Sequence, residues 1–400
     1  MTQSDRDIVI VGAGAFGAAA AVELAHRGWR VSLVDRGPLP HPDASSTDVS
    51  KMVRMDYGSD VFYHELAEAS LDEWERWNTD TERPLYHPEG FLVLSVDPMR
   101  SGGFEHESWQ VLERRGYRPE RLDREAMRRR YPKWNADRYR DGYFSPRGGW
   151  VESGAVVAWL LASARRAGVR FVEGQVLEVE TSGARATGVR VRSESGHEQA
   201  VDGTEVVVCA GAWTPGLVPS TAAVLTPVAQ PVLHFGVDDP NEYRGPGFPP
   251  FAADIAGSGW YGFPALEDGR LKLGHHGPGV PRDPDSRGSV TAEHVAAARA
   301  FFSESIPSLG GAPVVGQRVC MYCDSSDGDL LIDRPPHISG LVVAAGGSGH
   351  AFKFTPLLGG IIADAVEGRQ NRWLARFAWR SPTSSKSEEA RYLMTKGRES

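Results

Sequence analysis

The chain has 400 residues, of which 41% are hydrophobic and 24% charged, values that are ordinary for a soluble globular protein long enough to form two domains. Its formal net charge of −8 argues against a general nucleic-acid-binding surface and against a surface for anionic membranes. No apolar run approaches the roughly 18 residues that cross a membrane. Three cysteines predict no disulfide framework, and the closest pair, Cys320 and Cys323, has no second cluster or His partner nearby to complete a metal site.

The polar start, MTQSDRD, runs directly into the first strand, so we expect no secretory signal and a cytoplasmic protein. Residues 8–35 then carry a dinucleotide-binding fingerprint, in which an apolar run leads into Gly12-x-Gly14-x-x-Gly17. A helix of small residues follows, and a second apolar strand ends on Asp35. The first glycine permits the tight turn, the second lets the backbone approach a pyrophosphate, and the third allows close helix–strand packing. The helix N-terminus would face the phosphates and Asp35 the ribose hydroxyls; an ordinary βα turn is the alternative.

Further along the chain, a helix is predicted over residues 60–78, with an apolar side formed by Phe62, Leu66, Ala69, Leu71 and Trp74. A strand is expected at 90–96 and an arginine-rich helical region around 120–130. We interpret the arginine run there, Arg128 to Arg130, as a solvated face rather than a binding patch. A helix over 153–167 is followed by predicted strands at 170–172, 175–181, 186–193 and 205–211, with Cys209 as a small core residue in the last of them.

Residues 221–305 indicate antiparallel strands that end in a helix at 292–302, and residues 341–366 return to a strand, a glycine cluster and a helix. Three separated strand-to-glycine segments predict an α/β fold with one discontinuous, Rossmann-like cofactor domain and one antiparallel-sheet substrate domain. The cofactor domain is expected at residues 1–85, 145–220 and 321–380, the substrate domain at 86–144 and 221–320, and a polar tail at 381–400.

The last glycine cluster, Gly346, Gly347 and Gly349, distinguishes between cofactors better than the fingerprint does. Because a long helix follows it, we expect a second helix N-terminus to face an electron-rich group. Reduced flavin carries negative charge at its pyrimidine edge, and such a helix end would stabilise that charge. The pattern therefore favours a flavin over a nicotinamide.

The chain resembles the sarcosine oxidase-like group of D-amino-acid-oxidase-type flavoproteins, which includes N-methyltryptophan, pipecolate, saccharopine and fructosyl-amino-acid oxidases. The likeness covers nearly the whole chain, through the fingerprint and the blocks at 50–58, 261–276, 318–333 and 345–354. It implies an FAD-dependent amine oxidase, often monomeric, that oxidises a secondary amino acid to an imine. Reoxidation by dioxygen would release hydrogen peroxide.

The resemblance also implies how the cofactor is held. In RVCMYCDSSDGDLLID, Cys320 matches the cysteine that bonds covalently to the flavin, and a plain buried thiol is the alternative. Cys323 stands where sarcosine oxidases commonly have threonine, and we assign it no role. The expected cofactor-binding residues are Gly12, Gly14, Ala15, Phe16, Gly17, Asp35, Arg36, Ser50, Lys51, Val176, Gly211, Cys320, Gly347, Gly349, His350, Phe352 and Lys353.

Two cations match the residues that bind the substrate carboxylate in this family, Lys353 in GGSGHAFKF and Arg54 in KMVRMDYG. A carboxylate buried beside a flavin needs fixed cations, and the planar fork of arginine can grip it bidentately. Sequence alone would also allow a surface ion pair of Arg54 with Asp56 or Asp60. The resemblance places Tyr261 and Tyr322 at the same substrate pocket.

Lys272 matches the lysine that activates dioxygen, since a cation beside the flavin stabilises nascent superoxide. On an alternating strand, with Leu271 and Leu273 inward, it would otherwise be an outward-facing residue. His276 lines the pocket and offers a neutral imidazole near pH 7. Lys51 stands where sarcosine oxidases carry arginine; it still supplies positive charge, but this departure argues against sarcosine itself as the substrate.

Three alternatives remain open at the level of sequence. The chain could be a dehydrogenase that passes electrons to a protein or a quinone, or a tailoring oxidase that desaturates or cyclises an amino-acid-derived intermediate. It could also be a non-catalytic flavin-binding subunit, against which the retained Arg54, Lys272, Tyr322 and Lys353 argue.

Overall fold

The computed structural model describes residues 6–382 and Arg391. Most of the polar tail predicted at 381–400 therefore lies outside the described residues. Within the described part of the chain, no helix is long and apolar enough to cross a membrane. The same residues contain no cluster of His, Cys, Asp and Glu that could hold a metal ion.

The α-helices of the described chain are α1 (Ala15–His26), α2 (Val61–Asp80), α3 (Phe104–Arg114), α4 (Arg124–Arg130), α5 (Ser153–Arg166), α6 (Thr214–Leu217), α7 (Ile255–Ser258), α8 (Ala292–Ser305) and α9 (Thr355–Glu367). The strands are β1 (Asp7–Val11), β2 (Arg30–Asp35), β3 (Lys51–Val53), β4 (Tyr86–His87), β5 (Phe91–Ser95), β6 (Glu120–Arg121), β7 (Asp141–Ser145), β8 (Gly149–Val151), β9 (Arg170–Glu173), β10 (Gln175–Ser182), β11 (Arg185–Arg192), β12 (Glu198–Asp202), β13 (Glu205–Val208), β14 (Leu225–Gly236), β15 (Phe251–Ala253), β16 (Trp260–Gly262), β17 (Arg270–His275), β18 (Val280–Pro281), β19 (Val314–Ser325), β20 (Leu331–Asp333) and β21 (Leu341–Ala345).

The first sheet has six strands in the order β20-β21-β13-β1-β2-β9 and is parallel except for β20. The three strands that run into glycine-containing segments, β1, β13 and β21, are therefore neighbours in one sheet. Small residues let the covering helices approach closely, because a Cβ on Gly359 of α9 would lie 2.7 Å from the Ala19 carbonyl oxygen of α1. The carboxyl ends of these parallel strands open at one edge, where α/β proteins bind their ligands.

The second large sheet has nine strands in the order β18-β14-β17-β16-β15-β5-β7-β6, with β19 also paired to β14. It is mainly antiparallel, as expected for residues 221–305, although β15 runs parallel to β5. Its core is aromatic, and Phe235, Phe248 and Phe251 are fully buried in it. The strand β19 runs through the predicted domain boundary at residue 320, while β4 pairs with β8 beside the six-stranded sheet. The division into two domains stays a prediction.

Most predicted helices are confirmed to within a few residues. The helix α2 begins after Asp60, whose side chain accepts a hydrogen bond from Tyr63 N, and it buries Leu66, Leu71 and Trp74. The arginine run of α4 is solvated as predicted, since its members form surface ion pairs with Asp137, Glu125 and Glu120. Cys209 is buried, as expected.

The last predicted helix starts later than the sequence indicates. A 3-10 turn over Ala351–Phe354 follows the glycine cluster, and α9 begins only at Thr355, with Pro356 in its first turn. Proline lacks an N–H group and its fixed φ suits the first turn, so it marks this start. The short turn, rather than the long helix, therefore reaches the open edge of the sheet.

Candidate active site

A cavity of about 410 Å³ opens at the carboxyl ends of β1, β2, β13 and β21. Twelve of the residues predicted to hold the cofactor line it: Gly12, Gly14, Ala15, Phe16, Asp35, Arg36, Lys51, Val176, Gly211, Gly347, Gly349 and Phe352. The other five, Gly17, Ser50, Cys320, His350 and Lys353, lie outside its lining. The volume falls in the range typical of ligand sites, about 300–1,000 Å³.

The fingerprint glycines are required by close backbone contacts. Gly12 has a φ of +97°, and a Cβ there would lie 2.5 Å from the Cys209 carbonyl oxygen. A Cβ on Gly17 would lie 1.8 Å from the Gly12 carbonyl oxygen, so Gly17 packs behind the cavity rather than lining it. The Asp35 carboxylate accepts a hydrogen bond from Ala13 N at 2.6 Å, which fixes it at the cavity wall. This cradle fits a dinucleotide such as FAD.

Several residues of this cavity carried no signal in the sequence. The loop at 41–46 forms one wall, and Ser46 Oγ accepts a hydrogen bond from Ala15 N at 3.2 Å. Asp285, which belongs to the loop after β18, pairs with Arg36 at 2.8 Å, and Trp213 packs under the same guanidinium at 4.8 Å. Cys323, to which we assigned no role, also lines the cavity. These residues lie in loops, or on a strand where the tertiary fold determines which side chains point into the cavity.

A second cavity, of about 70 Å³, adjoins the first. It is lined by Lys51, Met52, Arg54, Phe91, Ala252, Ile255, Tyr261, Phe263, His276, Tyr322, Gly349, His350, Phe352 and Lys353. Four residues line both cavities, namely Lys51, Tyr322, Gly349 and Phe352. The cofactor cavity and the smaller one therefore meet at these residues, as a cofactor and its substrate must.

Arg54 is a buried cation with unused hydrogen-bonding capacity. It is 8% exposed, and its Nη1 has no hydrogen-bond partner within the described chain. The rings of Tyr57, Phe91 and Phe104 lie 5.1, 6.0 and 5.8 Å from the guanidinium carbon. The surface ion pairs that sequence alone would allow are not formed, because Asp60 pairs with Arg376 and Asp56 accepts a hydrogen bond from Tyr143.

Lys353 lies in the 3-10 turn, where its ammonium group begins a chain of hydrogen bonds. Its Nζ donates to Tyr57 Oη at 2.8 Å and to the His350 carbonyl oxygen at 2.5 Å. Tyr57 Oη lies 2.9 Å from His350 Nδ1, and His350 Nε2 lies 2.9 Å from the Gly328 carbonyl oxygen. Burial and the Lys353 charge hold the pKa of His350 well below its usual range, so the ring is neutral and Nε2 carries its proton. Tyr57 therefore accepts from Lys353 and donates to His350 Nδ1.

Another part of the wall of the small cavity consists of Tyr261, Tyr322 and His276. The two phenols are hydrogen-bonded to each other, and burial raises the pKa of both. Burial also holds the pKa of His276 well below its usual range, with Arg391 and Arg54 adding to the effect. This part of the wall therefore carries no charge near neutral pH, in contrast to the part with Arg54 and Lys353.

Lys272 is buried, contrary to the expectation for an alternating strand. Its side chain is 2% exposed, while Leu271 and Leu273 are buried on the other face, because β17 is covered on both sides. Its Nζ donates to the Ser50 carbonyl oxygen at 2.6 Å and lies 2.6 Å from Asp48 Oδ2. Burial lowers the pKa of Lys272 to about 8, against the opposing effect of Asp48. Nothing in the sequence around Asp48 indicates this contact.

Cys320 is buried on β19, 1% exposed, and packs with Val232 and Tyr322. It lies close enough to Lys272 and Tyr261 for its charge state to affect theirs, although it lines neither cavity. The structure thus brings it to the region where the cavities meet.

The chain matches the family described as "FAD dependent oxidoreductase" (DAO) over residues 7–365. It is 28% identical to monomeric sarcosine oxidase of Bacillus sp. (strain B-0618), covering 95% of this chain and 97% of that protein. It is 29% identical to N-methyl-L-tryptophan oxidase of Salmonella typhimurium (strain LT2), covering 91% and 95%. A solved structure of fructosyl amine:oxygen oxidoreductase (Amadoriase I) from Aspergillus fumigatus aligns with a TM-score of 0.79 at 25% identity, over 95% of this chain and 90% of that one. The chain belongs to the DAO family of FAD-dependent oxidoreductases.

Proposed function

We propose that this enzyme oxidises a secondary amino acid to an imine and passes the electrons to dioxygen, giving hydrogen peroxide. Two electrons and two protons leave the C–N unit of the amine, and dioxygen takes up both. The observation that carries the proposal is the pair of buried cations, Arg54 and Lys353, which line a cavity that meets the dinucleotide cavity. The relatives named above, sarcosine oxidase and N-methyltryptophan oxidase, act on amines of this kind.

The substrate carboxylate would be bound by Arg54 Nη1 and by the Lys353 ammonium group. A carboxylate is the natural partner of the unpaired Arg54 donor, because a buried donor without an acceptor is costly. The neighbouring cations disfavour a charged ammonium on the same substrate, so the amine would be bound neutral. The neutral His276 and Tyr261 can accept or donate a hydrogen bond there without adding charge. When bound, FAD supplies the acceptor for the hydride equivalent.

The size of the small cavity favours a compact substrate. A volume of about 70 Å³ has room for roughly five to seven water-sized atoms. Phe91, Ala252, Ile255 and Phe263 form its apolar side, and they offer no partner for a sugar hydroxyl or a second carboxylate. We therefore expect an N-methylated or cyclic amino acid with a small apolar side chain rather than a fructosyl amine or an N-methyltryptophan.

Covalent attachment of the flavin through Cys320 and reaction of dioxygen beside Lys272 belong to the same proposal. The burial of Cys320 next to Tyr322, which lines both cavities, supports the first. The enclosed charge of Lys272, near Lys51 and Phe263, supports the second. The monomeric state and the cytoplasmic location stay predictions.

The test is a substrate panel on the purified holoenzyme, with oxygen uptake and peroxide formation as readouts. Proline and N-methylalanine are expected to turn over faster than N-methyltryptophan and fructosyl glycine. Flavin reduction by a substrate without oxygen uptake would instead support a dehydrogenase, and a product other than the hydrolysed imine would support a tailoring oxidase. Acid precipitation should leave yellow colour in the pellet for the parent and for Cys323→Ser, and in the supernatant for Cys320→Ser.

A further inference from the structure

Asp48 is a buried carboxylate in the segment before β3, and the backbone around it is rigidly held. It is 4% exposed, and its carbonyl oxygen accepts hydrogen bonds from Ser153 Oγ at 2.6 Å and from Gly154 N at 2.9 Å. Its own Oδ1 accepts a hydrogen bond from Val49 N at 2.8 Å. The carboxylate is therefore fixed in place by its own segment and by the start of α5.

Two basic side chains of the nine-stranded sheet converge on this carboxylate. His234 on β14 and Lys272 on β17 are directly opposite each other in the antiparallel ladder, so they project from the same face. Lys272 Nζ lies 2.6 Å from Asp48 Oδ2, and His234 Nε2 lies 3.3 Å from Asp48 Oδ1. Each carboxylate oxygen thus faces one basic group.

We propose that Asp48 is the positioning residue of Lys272, keeping its ammonium group charged and directed at one point, and that His234 holds Asp48 in turn. The inference rests on the proposed function, in which Lys272 serves the reaction with dioxygen. Asp48 would not touch substrate or dioxygen itself. Its role is to keep a fully buried lysine protonated, which burial alone opposes.

Among the charged and titratable groups around Lys272, Asp48 is the one that can stabilise the lysine charge once the Cys320 thiol is attached to the flavin. Those groups are Asp48 before β3, Lys51 on β3, His234 on β14, Tyr261 on β16, and Arg318 and Cys320 on β19. Lys51 lowers the pKa of Lys272, whereas Asp48 and a Cys320 thiolate raise it. The thiol of Cys320 would be consumed by attachment to the flavin, which leaves Asp48 as the source of opposing charge.

The experiment separates the two half-reactions of the holoenzyme in Asp48→Asn. Reduction by the amine is measured without oxygen, and the reduced enzyme is then mixed with dioxygen at several pH values between about 6 and 10. We expect anaerobic reduction to stay within about threefold of the parent, while reoxidation falls about fivefold at pH 8 and about tenfold at pH 9, as a midpoint one unit lower requires. The midpoint of its pH profile, about 8 in the parent, should move down by about one unit or more, as expected for losing an adjacent opposite charge.

Further variants keep the proposal open to refutation if Asp48→Asn does not fold. His234→Leu removes the polar group 3.3 Å from Asp48 Oδ1 and should slow reoxidation, whereas His234→Gln keeps a polar N–H group at this position and should restore much of the rate. Asp48→Glu restores the carboxylate and should return the pH midpoint toward the parent value. Asp141→Asn is the matched control, because that buried aspartate pairs with Arg121 away from both cavities.

The visible spectrum of the oxidised holoenzyme, titrated over the same pH range, provides a readout independent of turnover. In the parent, a spectral change is expected near the midpoint of reoxidation, and it should shift down in Asp48→Asn. An unchanged pH midpoint for reoxidation in Asp48→Asn would overturn the role of Asp48. If the parent itself does not consume oxygen with any amine, it is the proposed function that fails, and the spectral titration still tests the Asp48–Lys272 coupling.

Discussion

Replacing Arg54 with methionine should strongly weaken substrate recognition without loss of stability. Arg54 is 8% exposed, and its Nη1 has no hydrogen-bond partner in the described structure. One or two charge-assisted hydrogen bonds to a substrate carboxylate would be lost, at about 2–4 kcal/mol. That corresponds to a fall in kcat/KM of roughly 30- to 1,000-fold.

The same change removes a buried donor that the folded protein leaves unsatisfied. The free energy of unfolding without substrate should therefore stay the same or rise by about 1 kcal/mol. Urea denaturation followed by fluorescence measures it, and oxygen uptake with a turned-over amine measures kcat/KM. Methionine keeps most of the side-chain volume that packs against Tyr57 and Phe104, so the substitution leaves no large cavity between these rings.

Arg376→Met is the matched control, because the Arg376 guanidinium forms ion pairs within the fold and lines neither cavity. It lies 2.5 Å from Asp60 Oδ2 and 3.0 Å from Asp329 Oδ2, with the arginine side chain 27% exposed. We expect it to lower the free energy of unfolding by about 2 kcal/mol while kcat/KM stays within about twofold. If Arg54→Met destabilises the protein as much as Arg376→Met, or leaves kcat/KM nearly intact, the assignment of Arg54 is wrong.

Two further predictions concern packing and pH. Gly349→Ala should displace Tyr322, because Gly349 has a φ of +76° and the new Cβ would lie 2.2 Å from the Tyr322 ring. We expect the visible spectrum of the holoenzyme to change. The Tm should fall well below that of the control Gly245→Ala, since Gly245 is also left-handed but has open space around it. Glu152 contacts Arg83 at 2.5 Å and His87 at 3.0 Å. Burial raises the pKa of Glu152, but the hydrogen bonds and charges of Arg83 and His87 together lower it to about 2. Its stabilising contribution is therefore complete above the unfolded pKa and lost as pH falls toward 2. Glu152→Gln should cost about 1–2 kcal/mol near pH 7, and the difference from the parent should shrink toward pH 3 in urea titrations; a difference independent of pH would contradict this reasoning.

The cofactor cavity could be predicted from the sequence because its chemistry is local. The glycines at 12, 14 and 17 and Asp35 belong to one βαβ unit, and their spacing alone determines which atoms meet. The start of α9 was placed too early for an equally local reason. A glycine cluster indicates where a strand ends, whereas Pro356 determines where the helix begins.

The charged residues of the site were harder to predict, because their environment depends on pairing between distant strands. Lys272 has the alternation of an outward-facing residue, but β17 is covered on both faces, so the side chain is buried. Arg54 has two acidic neighbours in sequence, and only the fold directs both of them to other partners. Asp48 lies in a loop rich in small polar residues, and nothing local distinguishes it from Asp43.

The long ladder between β14 and β19 has a consequence for how this enzyme can diversify. The two strands pair continuously from Leu225 opposite Ser325 to His234 opposite Gly316. Successive residues of a strand face opposite sides of the sheet. Inserting or deleting one residue in β19 would therefore turn Tyr322 and Cys323 to the faces opposite to those they now occupy. Changes of specificity on this strand must therefore arise by substitution, while insertions are tolerated in the loops that reach the cavities from elsewhere.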